Sequence, residues 1–348
     1  MKLSEVKSKD SSIVNLNDLE DRSITDRFGR TFNYLRLAVN EICNLRCIYC
    51  MPEEGIKFKE KHRILRKNEI LRLIQITTEL GVTKIRFTGG EPLLRNEIIE
   101  IINFAKKIKT VKSINLTTNG ILLSNMLDEL KSSGLSGINI SIDTLNSEKY
   151  KAISRRDSLE KVLDSFHQAM NHNCFKIKVN VVAMKNFNDD ELVDFVELTK
   201  LNDITVRFIE LMPFDARQIW ETGKFYKASD ILSDLKLKYN NLIDEKGSST
   251  EYHIFRLKGY VGKVAIIPSY TRSLCGKCNR IRITADGNLL NCLYSQNGIN
   301  LLSPIRKNLP NSEIKKIIMQ GMYTKPKDGW KAHKKGFEYK SSMTQIGG

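Results

Sequence analysis

The sequence predicts an α/β fold: a partial (β/α)6 TIM-like barrel followed by a smaller α+β C-terminal module that caps the open side. Three observations carry this expectation. Short β-rich runs alternate six times with amphipathic helical runs between Phe32 and Met212, which implies parallel strands joined by right-handed crossovers. Along those strands apolar residues alternate with polar ones, whereas parallel strands covered on both faces read as nearly continuous apolar runs. Finally, residues able to carry chemistry follow the strands, at the end where parallel α/β folds bind ligands. The alternation favours a barrel over an open doubly wound sheet, with helices on the apolar face and a polar, cationic lumen in place of the usual packed interior.

A polar leader, residues 1–32, comes first. The barrel strands are expected at Leu35–Val39, Lys84–Thr88, Ser113–Thr118, Gly137–Asp143, Lys176–Met184 and Thr205–Met212. Leu35, Leu37 and Val39 alternate with Arg36 and Asn40, and Ile177, Val179 and Val181 with Lys176, Lys178 and Asn180. Helices are expected near Asn68–Leu80, Asn96–Ile108, Ser124–Ser132, Ser158–His172 and Asp189–Lys200, several opening on Ser, Asn or Asp as a cap. Gly81 and Gly134 stand where a helix C-terminus favours positive φ. These elements make up a barrel over residues 33–213. The module over residues 214–348 reads as a helix near Ser229–Tyr239, strands at Tyr252–Leu257, Lys263–Ile267, Ile281–Thr284 and Leu289–Cys292, and a helix near Ser312–Met322.

Composition narrows the class. The 348 residues are 41% hydrophobic, an ordinary globular content, and no run approaches the length of a membrane span. The N-terminus has neither an apolar signal region nor an Arg-rich transit pattern. Lys and Arg outnumber Asp and Glu by 56 to 40, a net charge of +16 that attracts anions such as nucleoside polyphosphates or nucleic acid. The Lys325–Lys340 segment reads as solvated surface rather than a nucleic-acid patch. Seven cysteines, six of them in two groups, argue for metal ligation in a reducing compartment, the cytoplasm, over a disulfide framework. The seventh, Cys174, reads as a small core residue.

The first group, Cys43, Cys47 and Cys50, places three thiols in eight residues directly after a strand. Thiolates select zinc, copper(I) or iron–sulfur clusters. An iron–sulfur cluster usually takes four cysteines, so three leave one coordination position for a group that is not protein. A zinc knuckle, with His62 as a distant fourth ligand, and three unrelated buried thiols are the alternatives. The second group is Cys275 and Cys278 with Cys292 thirteen residues on, a spacing that zinc half-sites share. Beside it Arg280 and Arg282 stand two apart in a strand, on one face about 6.6 Å from each other. Two planar cationic forks suit phosphate oxygens or a purine edge; a surface strand with solvated arginines would read the same way.

The spacing of the first group, with an aromatic before its last Cys, resembles the radical S-adenosylmethionine (SAM) superfamily. Together, CNLRCIYCMPEEG, TGGEPLLR, LTTNG, ISID, KVNVV, RFIELMPF, LCGKCNRIRITADGNLLNCL and the terminal Gly347-Gly348 resemble the GTP 3′,8-cyclase family of molybdenum-cofactor biosynthesis. The match runs from Asn33 to the last residue, with one departure, Asn40-Glu41-Ile42, where the family often has Thr-Asp-basic. The resemblance implies two [4Fe–4S] clusters, one on Cys43, Cys47 and Cys50 that binds SAM, the other on Cys275, Cys278 and Cys292 facing the guanine of GTP. It implies SAM contacts from Tyr49, Gly90, Ser141 and Met212, and GTP contacts from Arg36, Arg86, Thr117, Lys178, Arg280 and Arg282. Arg280, Arg282, Gly347 and Gly348 would act in catalysis, the last two by reaching into the active site. The implied reaction converts GTP to 3′,8-cyclo-7,8-dihydro-GTP: a 5′-deoxyadenosyl radical takes the ribose C3′ hydrogen, and the carbon radical attacks guanine C8. The implied partners are an electron donor, a second copy of the chain and a downstream cyclic pyranopterin monophosphate synthase, with neither nucleic acid nor membrane. The rivals are a radical SAM enzyme acting on RNA or a peptide, and a zinc-stabilised nucleic-acid-binding protein.

Overall fold

A computed structural model of the chain describes residues 23–212, 224–245, 253–271, 275–295, 298–334 and 343–346. The first half runs β1 (Tyr34–Ala38), α1 (Lys67–Glu79), β2 (Lys84–Thr88), α2 (Ile98–Lys107), β3 (Ser113–Thr118), α3 (Leu127–Ser132), β4 (Gly137–Ser141), α4 (Ser147–Ser154), α5 (Leu159–Asn171), β5 (Lys176–Ala183), α6 (Leu192–Glu197) and β6 (Thr205–Glu210). The second half adds α7 (Ala228–Lys238), β7 (Leu242–Asp244), β8 (His253–Leu257), β9 (Lys263–Ile267), β10 (Arg280–Ile283), β11 (Asn288–Leu290), β12 (Ile299–Asn300), α8 (Leu302–Arg306), α9 (Asn311–Tyr323) and α10 (Gly329–Lys334).

Strands β1 to β6 pair side by side, all parallel, in chain order. The second half joins this sheet at both edges: β10 lies parallel to β1 and β9 parallel to β6. Antiparallel strands then continue outward, giving the order β12-β11-β10-β1-β2-β3-β4-β5-β6-β9-β8-β7. The C-terminal module is therefore continuous with the barrel sheet.

Period-2 patterning explains the layering. Leu35, Leu37, Ile85, Phe87, Ile138, Ile140, Val179, Val181, Val206 and Phe208 are buried in the main core. Facing them from the helices are Ile70, Leu73, Ile74, Ile101, Ile102, Val162 and Phe166. Each such side chain contributes about 1.5–3 kcal/mol by leaving water. The opposite strand face carries Arg86, Asn139, Arg207 and Arg282, which are buried as well. The lumen is polar and shielded, which sets up the site.

Gly81 and Gly134 take φ of 92° and 85°, as helix C-termini require. Several caps differ from expectation: α1 starts after Arg66, whose N–H donates to Glu69 at 2.7 Å, and Ser158 makes no cap bond. Helix α4, absent from the expected elements, is capped by Asn146, whose Oδ1 accepts from the Lys149 N–H at 3.0 Å. Cys174 is exposed rather than in the core, because it sits in the turn after α5, next to Asn173 at φ 51°. Lys325, expected on the solvated surface, is 4% exposed and donates to the Asn291 carbonyl. Of the leader, residues 23–32 are folded: Ile24 and Phe32 are in the core and Ile24 N–H bonds Leu80 O at 3.4 Å. Among the described residues no helix is long and apolar enough to cross a membrane.

Candidate active site

The first thiol loop leaves β1 and is held by its neighbours' backbones. Arg46 N–H donates to Ser154 O at 3.1 Å and Ile48 N–H to Ile153 O at 2.9 Å, so the end of α4 supports the loop. Arg155, at φ 55°, donates to the carbonyls of Arg46 and Met51 at 3.0 and 2.9 Å. Leu45 N–H and Asn119 Nδ2 approach Cys43 Sγ at 3.5 and 3.8 Å, the kind of N–H···S contact that supports a metal-bound thiolate. Burial pushes the Cys43 thiol up to about 12 and Cys47 well above its ordinary value, and the crowded sulfurs add to this. Three thiols in such a place become thiolates only when a cationic centre compensates them. Three soft thiol ligands on one loop, with N–H groups near the Cys43 sulfur, suit an iron–sulfur cluster that leaves one iron open.

Glu91 fastens the ends of β2 and β3. Its carboxylate accepts from Leu93 N–H at 3.0 Å, Asn119 N–H at 2.7 Å and Thr118 Oγ1 at 2.8 Å, and burial raises it to about 7. Gly90 is required for a different reason: a Cβ there would lie 2.2 Å from the Ile42 carbonyl oxygen, because the Gly-Gly turn rests against the backbone leading into the thiol loop. Tyr49 donates its hydroxyl to Asp143 at 2.6 Å, and Asp143 also accepts from Val182 N–H at 2.8 Å. Burial lifts Asp143 to about 6.

One cavity of about 350 Å³ receives these groups, within the ordinary range for a small-molecule site. Strand register builds its cationic wall in two rungs. Arg36 stands opposite Arg86 on one side and Arg282 on the other; Tyr34 stands opposite Lys84 and Arg280. Further round, Arg207 Nη2 donates to Asn139 at 3.0 Å and to Asn180. Buried donors on Arg86 (Nε), Arg280 (Nε) and Arg282 (Nη1) meet no acceptor among the described residues. Burial and the neighbouring guanidiniums push Arg86 down to about 9 and Arg282 well below its usual value, with Tyr34 opposing in part at Arg86. Buried cations with unmet donors form a receptor for a polyanion.

The second thiol loop lies beside Arg280 and Arg282. Burial raises the Cys278 thiol, but Lys325 and Arg280 outweigh it and bring it down to about 7. Gly329 N–H approaches Cys275 Sγ at 3.4 Å. Cys292 packs against the small apolar cluster that contains Leu290, Tyr294 and Ile346. The loop is clamped by Arg30, which is itself bound to Asp26 at 2.6 Å and donates to the carbonyls of Cys275, Lys327 and Pro326 at 2.9, 3.0 and 2.7 Å. Arg30→Ala leaves buried Asp26 without its partner and is expected to cost about 3 kcal/mol or more. In metal-free chain it should also speed maleimide labelling of Cys275 and Cys278, with exposed Cys174 as internal reference; an unchanged labelling ratio would contradict the clamp.

The cavity wall thus brings together Cys43, Cys47, Cys50, Tyr49, Gly90, Ser141, Met212, Arg36, Arg86, Thr117, Lys178, Arg280 and Arg282. Cys275, Cys278 and Cys292 lie outside that lining. Met343 and Thr344 also line it, and Met343 N–H bonds Cys50 O at 3.2 Å. Gly347 and Gly348 lie outside the described residues, as does Pro213. Sequence reasoning did not single out Tyr34, Lys84 or Arg207 as site residues. The alternation that marks Arg36 and Arg86 as inward also marks Arg207, between Val206 and Phe208.

Family models match the radical SAM superfamily over residues 37–199 and Molybdenum Cofactor Synthesis C over residues 204–330. A GTP 3′,8-cyclase of Chlorobaculum tepidum is 42% identical, covering 96% of this chain and 100% of its own length. The molybdenum cofactor biosynthesis protein 1 of Dictyostelium discoideum is 42% identical over 89% of this chain, which spans 50% of that longer protein. The crystal structure of SuiB from Streptococcus suis matches with a TM-score of 0.60 over 85% of this chain and 66% of that one, at 16% identity, and so speaks for the fold alone. With a relative 42% identical and matched along its entire length, the chain belongs to the GTP 3′,8-cyclase family of the radical SAM superfamily, which works with SAM and a [4Fe–4S] cluster.

Proposed function

We propose that the chain is a GTP 3′,8-cyclase that forms 3′,8-cyclo-7,8-dihydro-GTP, the first step towards molybdopterin. The observation that carries the reading is one cavity lined by the first thiol trio together with Arg280 and Arg282, the latter an electrostatic neighbour of Cys278 and Cys292. In this reading Cys43, Cys47 and Cys50 hold a [4Fe–4S] cluster, and Tyr49, Gly90, Ser141 and Met212 contact SAM. When bound, cluster and SAM supply a 5′-deoxyadenosyl radical.

The chain's own part is orientation, charge and exclusion of water. Arg36, Arg86, Thr117 and Lys178 hold the triphosphate; one charge pair at 4 Å in a setting of effective dielectric 20 contributes about 4 kcal/mol before desolvation is subtracted. Arg280 and Arg282 hold the nucleotide against a second cluster on Cys275, Cys278 and Cys292. The N–H···S contact to Cys275 and the cations beside Cys278 support thiolate ligands there. Gly347 and Gly348 reach towards the nucleotide in this reading, a direction supported by Met343 and Thr344 on the cavity wall. A homodimer, an electron donor and a downstream cyclic pyranopterin monophosphate synthase complete the proposal.

Anaerobically reconstituted protein should carry about eight irons. With reductant and SAM it should form 5′-deoxyadenosine when GTP is added and little without it. Formation indifferent to GTP would favour a radical SAM enzyme with another substrate.

A further inference from the structure

Tyr34 occupies an unusual position for a phenol. It is 4% exposed and lines the cavity, and its hydroxyl is buried with no hydrogen-bond partner among the described residues. Its ring is surrounded by cations: Lys84 Nζ lies 4.8 Å from the ring centroid, and the Arg86 and Arg36 guanidinium carbons at 5.5 and 5.8 Å. Arg280 is its register partner across β10. Arginine and lysine have donors but no acceptor. A neutral phenol in this company therefore has no charged neighbour to which it can give its proton, and leaving a buried hydroxyl unmet costs about 1–3 kcal/mol.

We propose that Tyr34 is a substrate-binding residue whose hydroxyl donates a hydrogen bond to an anionic oxygen of the nucleotide's polyphosphate; this rests on the GTP reading above. Its ring separates Lys84, Arg36, Arg86 and Arg280, so that cations which repel one another can share one small cavity, and its hydroxyl adds a neutral donor to that cradle. Although burial raises the phenol, the surrounding cations outweigh it and bring it down to about 7, so the hydroxyl donates only in its protonated form and the comparison below is made at pH 6. A purine or ribose edge would not need four cations around it; phosphate oxygens do.

Tyr34→Phe keeps the ring and its cation contacts and removes only the oxygen. If the hydroxyl waits for a ligand, the ligand-free, reconstituted full-length variant at pH 6, where the phenol is neutral, should melt no lower than wild type, because an unmet buried group has been deleted. Binding of both GTP and inorganic triphosphate, measured by calorimetry, should weaken at least about tenfold, the loss expected for a hydrogen bond to a charged group, while any binding of guanosine stays unchanged. Equal triphosphate affinity in variant and wild type, or a lowered melting temperature with unchanged affinity, would overturn the proposal. Wild type that binds inorganic triphosphate but not GTP would sink the GTP reading while leaving the Tyr34 comparison readable. Wild type that binds neither would remove both.

Discussion

Replacing Cys43, Cys47 and Cys50 together by alanine is expected to abolish 5′-deoxyadenosine formation while about four irons per chain remain. The first trio sits on a loop after β1, supported by α4 and Arg155. The second is clamped separately by Arg30 and Asp26 and faces Lys325. No protein group of the first set contributes a ligand to the second in this account, so losing one should not dismantle the other. Iron analysis and electron paramagnetic resonance of the reduced variant check this. Retained cleavage of SAM would show that the radical chemistry is initiated elsewhere; loss of all iron would show that the two loops form one metal centre.

Arg282→Ala carries the second large effect. Arg282 is 4% exposed, lies in register with Arg36, and has a buried donor with no partner among the described residues. Truncating one member of a buried charged contact with substrate costs about 2–5 kcal/mol, so kcat/KM for GTP should fall by about 30-fold to several thousandfold with iron content unchanged. Arg282→Lys should restore only part of the loss, since an ammonium cannot reproduce a planar two-donor fork. Steady-state kinetics beside iron analysis decides the matter, and unchanged turnover would remove Arg282 from the substrate site.

The parts of this molecule that were legible in the sequence are those written at a short period. Alternation within Lys84–Thr88 and Lys176–Ala183 gave both the strands and their inward polar residues, and the cysteine spacings marked both thiol loops. Features that depend on tertiary contacts were not legible. Arg30 looks like part of a polar leader until the fold brings it to the carbonyls of Cys275, Pro326 and Lys327. Lys325 looks like the start of a solvated tail until it packs 5.3 Å from the Phe32 ring. Cys174 has core-like chemistry but falls in a turn, where backbone position overrides the preference of a thiol for burial. Tyr34 stands one residue before the strand expected from Leu35, so the alternation did not reach it; the register with Lys84 and Arg280 reveals its cationic surroundings.

The central claim is that one chamber holds the SAM-derived radical and the ribose of GTP side by side. Single-turnover incubation of the reduced protein with SAM and GTP deuterated at ribose C3′ tests it most directly, by mass spectrometry of the 5′-deoxyadenosine. The account predicts one deuterium in that product, matched by one equivalent of cyclised nucleotide. Deuterium-free 5′-deoxyadenosine with GTP recovered intact would contradict it.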